Sequence, residues 1–196
     1  MPRQKQKSNG RVARKASRVS RGLNLSLTQR LAAVKLFLCD VDGVLTDGTV
    51  LLGEGKEYKI FSIQDGLGLL LLKKFGLRVG WISARPSAVT QQRGEELRIE
   101  FVYQVKGNKV ATVEELLKVT GFHWNEVCYM GDDVVDLGVL KRAGVAVAVA
   151  NAIDDVKALA HYVTAKRGGH GAVREVVELL LRAQGKWESV IEELSK

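Results

Sequence analysis

Two aspartates one residue apart, Asp40 and Asp42, end the apolar run Leu36-Phe37-Leu38-Cys39 and stand just before Gly43. A buried strand there would present both carboxylates at its C-terminal end, where open α/β sheets bind ligands. Two such acids can share a magnesium ion and divide nucleophilic and acid–base work between them. Alone the pair is a weak signal, because aspartates often occupy turns after strands. Three further stations follow in order: Ser83 in Trp81-Ile82-Ser83, Lys109 after Gly107-Asn108, and Gly131-Asp132-Asp133-Val134-Val135-Asp136. Taken singly, Ser83 reads as a turn hydroxyl, Lys109 as a solvated helix residue and Asp136 as a helix-start acid. Together they supply acids, a hydroxyl and a cation, the set that a phosphoryl group with a divalent ion requires. Without a cation, so many carboxylates would repel one another and raise their pKa values.

The intervening segments carry the patterns needed to position these groups. Strands are expected at Leu36–Asp40, Arg78–Ser83, Glu100–Gln104, Glu126–Met130, Val145–Ala150 and Tyr162–Thr164. Helices are expected at Gly66–Phe75, from Pro86 to about Leu97, and at Lys109–Val119, Val134–Arg142, Ile153–Ala160, Ala172–Gln184 and Trp187–Leu194. Such alternation predicts an α/β fold: a Rossmann-like, three-layer parallel sheet with helices on both faces. One insertion interrupts it just after the first strand. Thr49–Leu52 and Glu57–Ile63 flank Gly53-Glu54-Gly55-Lys56 and read as a β-hairpin. Val50, Leu52, Tyr58 and Ile60 give it apolar residues without an evident core, so it is expected to pack on another subunit. Asp47 reads as a turn residue at the hairpin base, and His123 and His161 as surface or satisfied residues.

The chain has 196 residues and a net charge of +8, and the excess charge lies in one place. Residues 1–22 hold eight Lys and Arg and no acid, while the remaining 22 basic and 22 acidic residues cancel. Residues 1–25 therefore read as a basic, disordered arm of unknown partner, and 26–196 as the folded domain. The arm lacks the apolar stretch of a secretory signal; its composition also suits a transit peptide or a nucleic-acid-binding segment. No apolar run approaches the ~20 residues of a membrane span. Cys39 and Cys128 sit in strand-like runs as core thiols, which suits a reducing cytoplasm.

The order Asp40-x-Asp42, Ser83, Lys109 and Gly131-Asp132-Asp133-x-x-Asp136 resembles the haloacid dehalogenase superfamily. The strings Cys39–Gly48, Gln64–Gly68 and Gly171–Glu175 narrow the resemblance to the 3-deoxy-D-manno-octulosonate 8-phosphate phosphatases, with their sialic-acid 9-phosphate relatives. It covers about residues 30–186. The resemblance implies a capless phosphatase that forms an aspartyl-phosphate on Asp40, with Asp42 as general acid and then base. It implies Mg2+ held by the Asp40 side chain, the Asp42 carbonyl and the Asp132 side chain, and phosphoryl oxygens bound by Ser83 and Lys109. Asp133 and Asp136 would orient metal waters or Lys109. The substrate would be an anionic sugar-acid phosphate, facing the loop Ser62-Ile63-Gln64-Asp65-Gly66 and the basic residues Arg85 and Arg93. Family members assemble as homotetramers through the hairpin, and a neighbour's C-terminal segment, here Arg167–Arg174, can lie over the site as a mobile loop.

Gln64, Leu70 and His170 stand where the family often has arginine, and Ala84 where it often has glycine. The first three remove positive charge from the substrate side, so the reaction is more firmly implied than the sugar. Octulosonate 8-phosphate is the favoured substrate and a nonulosonate 9-phosphate the alternative. A non-catalytic relative is the reading from another class, and the intact acids and lysine speak against it. A phosphotransferase normally needs a cap to exclude water.

Overall fold

A computed structural model describes residues 26–196; the basic arm expected at 1–25 lies outside the described residues. The first helix, α1 (Leu27–Ala32), starts at a capping box formed by Ser26 and Gln29. It leads into β1 (Leu36–Cys39), all four residues of which are buried. A short apolar run with no alternation is what a strand covered on both faces requires. The chain then forms β2 (Leu51–Gly53) and β3 (Lys56–Tyr58), α2 (Ile63–Lys74), β4 (Arg78–Ser83), α3 (Ala88–Glu96) and β5 (Phe101–Gln104). It continues through α4 (Lys109–Thr120), β6 (Val127–Gly131), α5 (Leu137–Leu140), β7 (Val145–Ala148), α6 (Asp154–Leu159) and β8 (Tyr162–Val163). Two helices, α7 (Ala172–Ala183) and α8 (Trp187–Leu194), close it.

The main sheet has the order β5-β4-β1-β6-β7-β8, and every neighbouring pair is parallel. From β1 the chain builds outward through β4 to β5, then returns to lay β6, β7 and β8 on the other side. The order therefore reverses between β1 and β6, and the crevice beyond their C-terminal ends is the expected ligand position. Helices α2 and α7 pack on each other on one face, and α4, α5 and α6 line the other. The apolar core runs through the sheet, with Phe37, Leu38, Trp81, Ile82, Tyr129 and Met130 fully buried.

The structure shifts several expected boundaries, each for a local reason. Helix α2 begins at Ile63 rather than Gly66, because Ser62 caps it: its Oγ accepts the Asp65 N–H at 3.3 Å. The expected substrate loop 62–66 is thus a helical first turn. Pro86 stands outside α3, since Ser87 takes the capping position. The expected hairpin is present, but its ladder pairs only Leu51–Gly53 with Lys56–Tyr58. Both central turn residues, Glu54 and Gly55, have positive φ (53° and 71°), the geometry that matches the twist of a two-residue hairpin. Leu51, Leu52, Tyr58 and Ile60 are all exposed. His161 is satisfied as expected, its Nδ1 accepting the Ala146 N–H at 2.9 Å. Both cysteines are buried free thiols.

Candidate active site

The end of β1 places Asp40 in the crevice. Its own N–H bonds to the Met130 carbonyl at 3.0 Å, so the ladder with β6 continues to this residue. Its Oδ1 accepts the Val41 N–H at 2.7 Å, and its Oδ2 lies 3.0 Å from the Lys109 ammonium. Lys109 reaches in from the start of α4, which Asn108 caps by accepting the Val110 N–H. Its Nζ also contacts Asp136 Oδ1 at 2.8 Å, and the Tyr129 hydroxyl donates to that same oxygen at 2.6 Å. Asp136 Oδ2 accepts the N–H groups of Asp132 and Asp133 at 3.0 and 3.3 Å. Both oxygens of this fully buried residue are therefore engaged. Its side chain fixes the turn after β6 and aims the lysine, so it does more than start a helix.

Asp132 completes the cluster. One oxygen each from Asp40, Asp132 and Asp136 lie within 4.8 Å of one another. Asp132 Oδ1 is buried and has no hydrogen-bond partner. Burial, reinforced by the Asp136 charge and offset by Lys109, pushes the Asp40 carboxyl up to about 6. Burial and the charges of Asp40, Asp136 and Asp133 push Asp132 up to about 7, against the pull of Lys109. Burial alone would lower the Lys109 ammonium, but Asp40 and Asp136 override it and its pKa is raised. A buried carboxylate oxygen without a donor, beside a second raised carboxyl, fits a hard divalent cation. Asp132, whose Oδ1 has no partner, and Asp40, an oxygen of which lies within 4.8 Å of an Asp132 oxygen, could hold one, whereas the two Asp136 oxygens already meet four donors.

A glycine pair determines how the loop after Asp40 is packed. Gly43 has φ 95° and faces the Asp132 carboxylate, which a Cβ would strike. Gly168 lies on the Gly43 and Thr46 carbonyls of the same chain, again with no room for a Cβ. Asn151 joins them: its Oδ1 accepts the Gly168 N–H at 2.7 Å, and its Nδ2 donates to the Gly43 carbonyl at 3.4 Å. Gly168 and Gly169 thus permit close backbone contact with the loop after Asp40 within this chain.

Several residues expected on the substrate side have partners within this chain. Arg85 is clamped by two 2.8 Å hydrogen bonds to Glu57 on the hairpin. Those bonds, with one from Ser87, pull the Glu57 carboxyl down to about 2 despite some desolvation. Arg93 is folded onto its own helix, 2.7 Å from Glu96, with its guanidinium 5.8 Å from the Phe61 ring centre. Asp65 is buried and accepts the Gly171 and Arg174 N–H groups at 3.2 and 2.7 Å. It caps the start of α7, and burial raises its pKa against those bonds. Ile63 and Gln64 point to solvent, and Gly66 packs on Arg93. Ser83 closes β4 with its hydroxyl 3.1 Å from both the Arg85 N–H and carbonyl, a local turn. Asp133 is exposed and caps the next turn by accepting the Val134 N–H.

Asp42 stands apart from the cluster, and its partner was missed from sequence. The Lys59 ammonium lies 2.7 and 3.0 Å from its two oxygens. The signal was present as alternation: Glu57 and Lys59 project from one side of the hairpin strand, opposite Tyr58 and Ile60. Tyr129 was also missed, since an apolar strand residue gives no hint that its hydroxyl will meet Asp136.

A family model described as haloacid dehalogenase-like hydrolase matches residues 82–176. The 3-deoxy-D-manno-octulosonate 8-phosphate phosphatase of Yersinia pestis is 40% identical over 161 residues, 82% of this chain and 86% of its own. The crystal structure of the phosphatase of that name from Moraxella catarrhalis, in complex with magnesium, phosphate and KDO, superposes with a TM-score of 0.83. It is 39% identical and covers 85% of this chain and 97% of its own. A cobalt-bound Haemophilus influenzae phosphatase of the same type gives 0.78 at 36% identity, over 81% and 93%. With its acids, lysine and sheet order arranged as described, the chain belongs to the haloacid dehalogenase-like hydrolases and is a phosphatase of the octulosonate-phosphatase branch.

Proposed function

We propose that the protein is a magnesium-dependent phosphomonoesterase acting on 3-deoxy-D-manno-octulosonate 8-phosphate. The observation that carries this reading is the contact chain Asp40–Lys109–Asp136 across the β1/β6 crevice, with Asp132 Oδ1 unpartnered beside it. The relatives' activity and the magnesium in the Moraxella structure support it.

Asp40 uses a carboxylate oxygen to attack phosphorus, and the bond from phosphorus to the sugar oxygen breaks. Asp42 gives its proton to that oxygen, then takes one from the water that attacks the aspartyl-phosphate; Asp40 leaves as carboxylate. Lys109 neutralises the nucleophile in the resting site and, with Ser83 freed from its local turn, binds phosphoryl oxygens. Asp136 and Tyr129 hold Lys109 in place, and Asp133 steadies the turn that carries Asp132. Asp40, Asp132 and the Asp42 carbonyl would hold the magnesium ion, which would supply neutralisation of phosphoryl charge.

The phosphatase domain spans 26–196, and residues 1–25 are an accessory arm that turnover does not need. The exposed apolar hairpin joins subunits into a homotetramer, and the enzyme works in the cytoplasm. Among the described residues no helix is long and apolar enough to cross a membrane. The second reading, a nonulosonate 9-phosphate phosphatase, is favoured by the substrate side: Gln64, Leu70 and His170 carry no arginine, and Arg85 is neutralised by Glu57. Phosphate release with magnesium from both esters, compared as kcat/KM, decides between them. The first reading expects the octulosonate ester to be preferred by tenfold or more, about 1.4 kcal/mol of transition-state discrimination.

A further inference from the structure

The buried Lys59 takes no part in the chemistry described so far, yet it touches the acid–base group. Its side chain is wholly shielded from solvent. Its ammonium has three donors, and three oxygen-bearing side chains surround it: Asp42 at 2.7 and 3.0 Å, Thr90 Oγ1 of α3 at 3.0 Å, and Glu57 at 3.6 Å. Burying a lysine is costly unless it is paired and hydrogen-bonded. Here the pairing joins the hairpin, helix α3 and the loop after β1 at a single atom. No donor other than Lys59 reaches the Asp42 carboxylate among the described residues. The Asp42 rotamer therefore depends on this contact.

We propose that Lys59 is the positioning residue of Asp42: the hairpin inserts an ammonium that fixes the acid–base carboxylate in line with the leaving oxygen and, later, the attacking water. The hairpin thus has two faces with separate work. Its apolar residues lie outward, and Glu57 and Lys59 reach inward to the same subunit's site. Glu57 is the link that anchors this inner edge, through Arg85 and Ser87 on one side and Lys59 on the other. The inference rests on Asp42 acting as acid and base, as proposed above.

The test compares an alkyl ester, octulosonate 8-phosphate, with p-nitrophenyl phosphate, whose leaving group departs without a proton. In Lys59→Met, kcat for the alkyl ester falls about 10- to 100-fold, the lower part of the range for general acid–base groups, with KM within about twofold. With the aryl ester, the first step stays fast and hydrolysis of the intermediate slows, giving a burst of about one p-nitrophenolate per subunit. Lys59→Arg restores part of kcat. Thr90→Val, which removes the second partner, shows a weaker version of the same split and decides the matter if Lys59→Met does not fold. Wild-type-like turnover without a burst in Lys59→Met would overturn the proposal. So would a raised KM at unchanged kcat, which would make Lys59 a substrate ligand. Absence of a burst in a folded Thr90→Val, with kcat unchanged, counts against it equally. If wild-type protein released no phosphate, or Asp40→Asn remained active, the functional reading itself would fail instead.

Discussion

The phosphoryl end and the sugar end of this site are built in different ways. At the phosphoryl end, Asp40, Lys109, Asp132 and Asp136 come from the tips of β1 and β6 and the start of α4, and most are buried. Asp40, Lys109 and Asp136 are fixed by backbone or by one another, and Asp132 through its N–H on Asp136. At the sugar end, Arg85, Arg93 and Asp65 are already committed to Glu57, Glu96 and the α7 backbone. The first end is assembled by the sheet before any ligand arrives. To hold a sugar acid as proposed, the second would have to exchange partners or use other groups.

Breaking the phosphoryl end should have the largest consequence. Lys109→Met leaves Asp40, Asp132 and Asp136 without their cation. Losing one partner of a buried charged set costs about 3–5 kcal/mol, so denaturant unfolding of the metal-free protein should show a loss of that size, and phosphate release should fall at least about a hundredfold. Retained stability would mean that Lys109 is not the charge that balances the cluster.

Gly168→Ala tests the joint between the two ends. The added methyl has to push the Gly43 and Thr46 carbonyls apart, and overpacking of this kind costs about 1–3 kcal/mol. A lower Tm with a comparable loss of kcat is expected, because the displaced loop carries Asp42. An unchanged Tm would show that the segment 167–174 gives way easily.

A smaller effect links protons to the cation. Asp40 and Asp132 have folded-state values of about 6 and about 7, above the 3.8 of an unperturbed aspartate. The folded protein therefore holds more protons than the unfolded chain between about pH 4 and 7. Its metal-free stability should fall as pH rises through that window and level off above it. Magnesium replaces those protons, so the Tm gain on adding it should be larger at about pH 8 than at about pH 5. A pH-independent gain would place the metal elsewhere.

The smallest effect belongs to the sugar end. Arg85→Met breaks a pair at the rim, where such contacts contribute about 0–1 kcal/mol. Turnover of the octulosonate ester should change by less than about fivefold. A much larger rise in KM would show that Arg85 leaves Glu57 to bind the substrate carboxylate.

The division also accounts for what could be read from the chain. Strand-end spacing made the convergence of Asp40, Lys109 and Asp132 legible, because a parallel sheet converts sequence order into a fixed geometry at its C-terminal edge. The helix starts after Ser62 and Ser87 were missed by three and two residues, because the serine cap and not the first apolar residue or the proline fixes the boundary. The pairing of Arg85 with Glu57 was not legible, because a lone arginine does not reveal its partner and Glu57 is 28 residues away. Lys59 escaped for the same reason: its pairing with Asp42 exists only once the hairpin folds back on the body.

The central claim is that Asp40 becomes transiently phosphorylated. Turnover of octulosonate 8-phosphate quenched in acid and reduced with borohydride should convert Asp40 to homoserine, read by mass spectrometry of its peptide, and the yield should rise in Asp42→Asn when p-nitrophenyl phosphate, whose leaving group needs no proton, is the substrate. Undiminished phosphate release with Asp40 unmodified in both proteins would contradict the account.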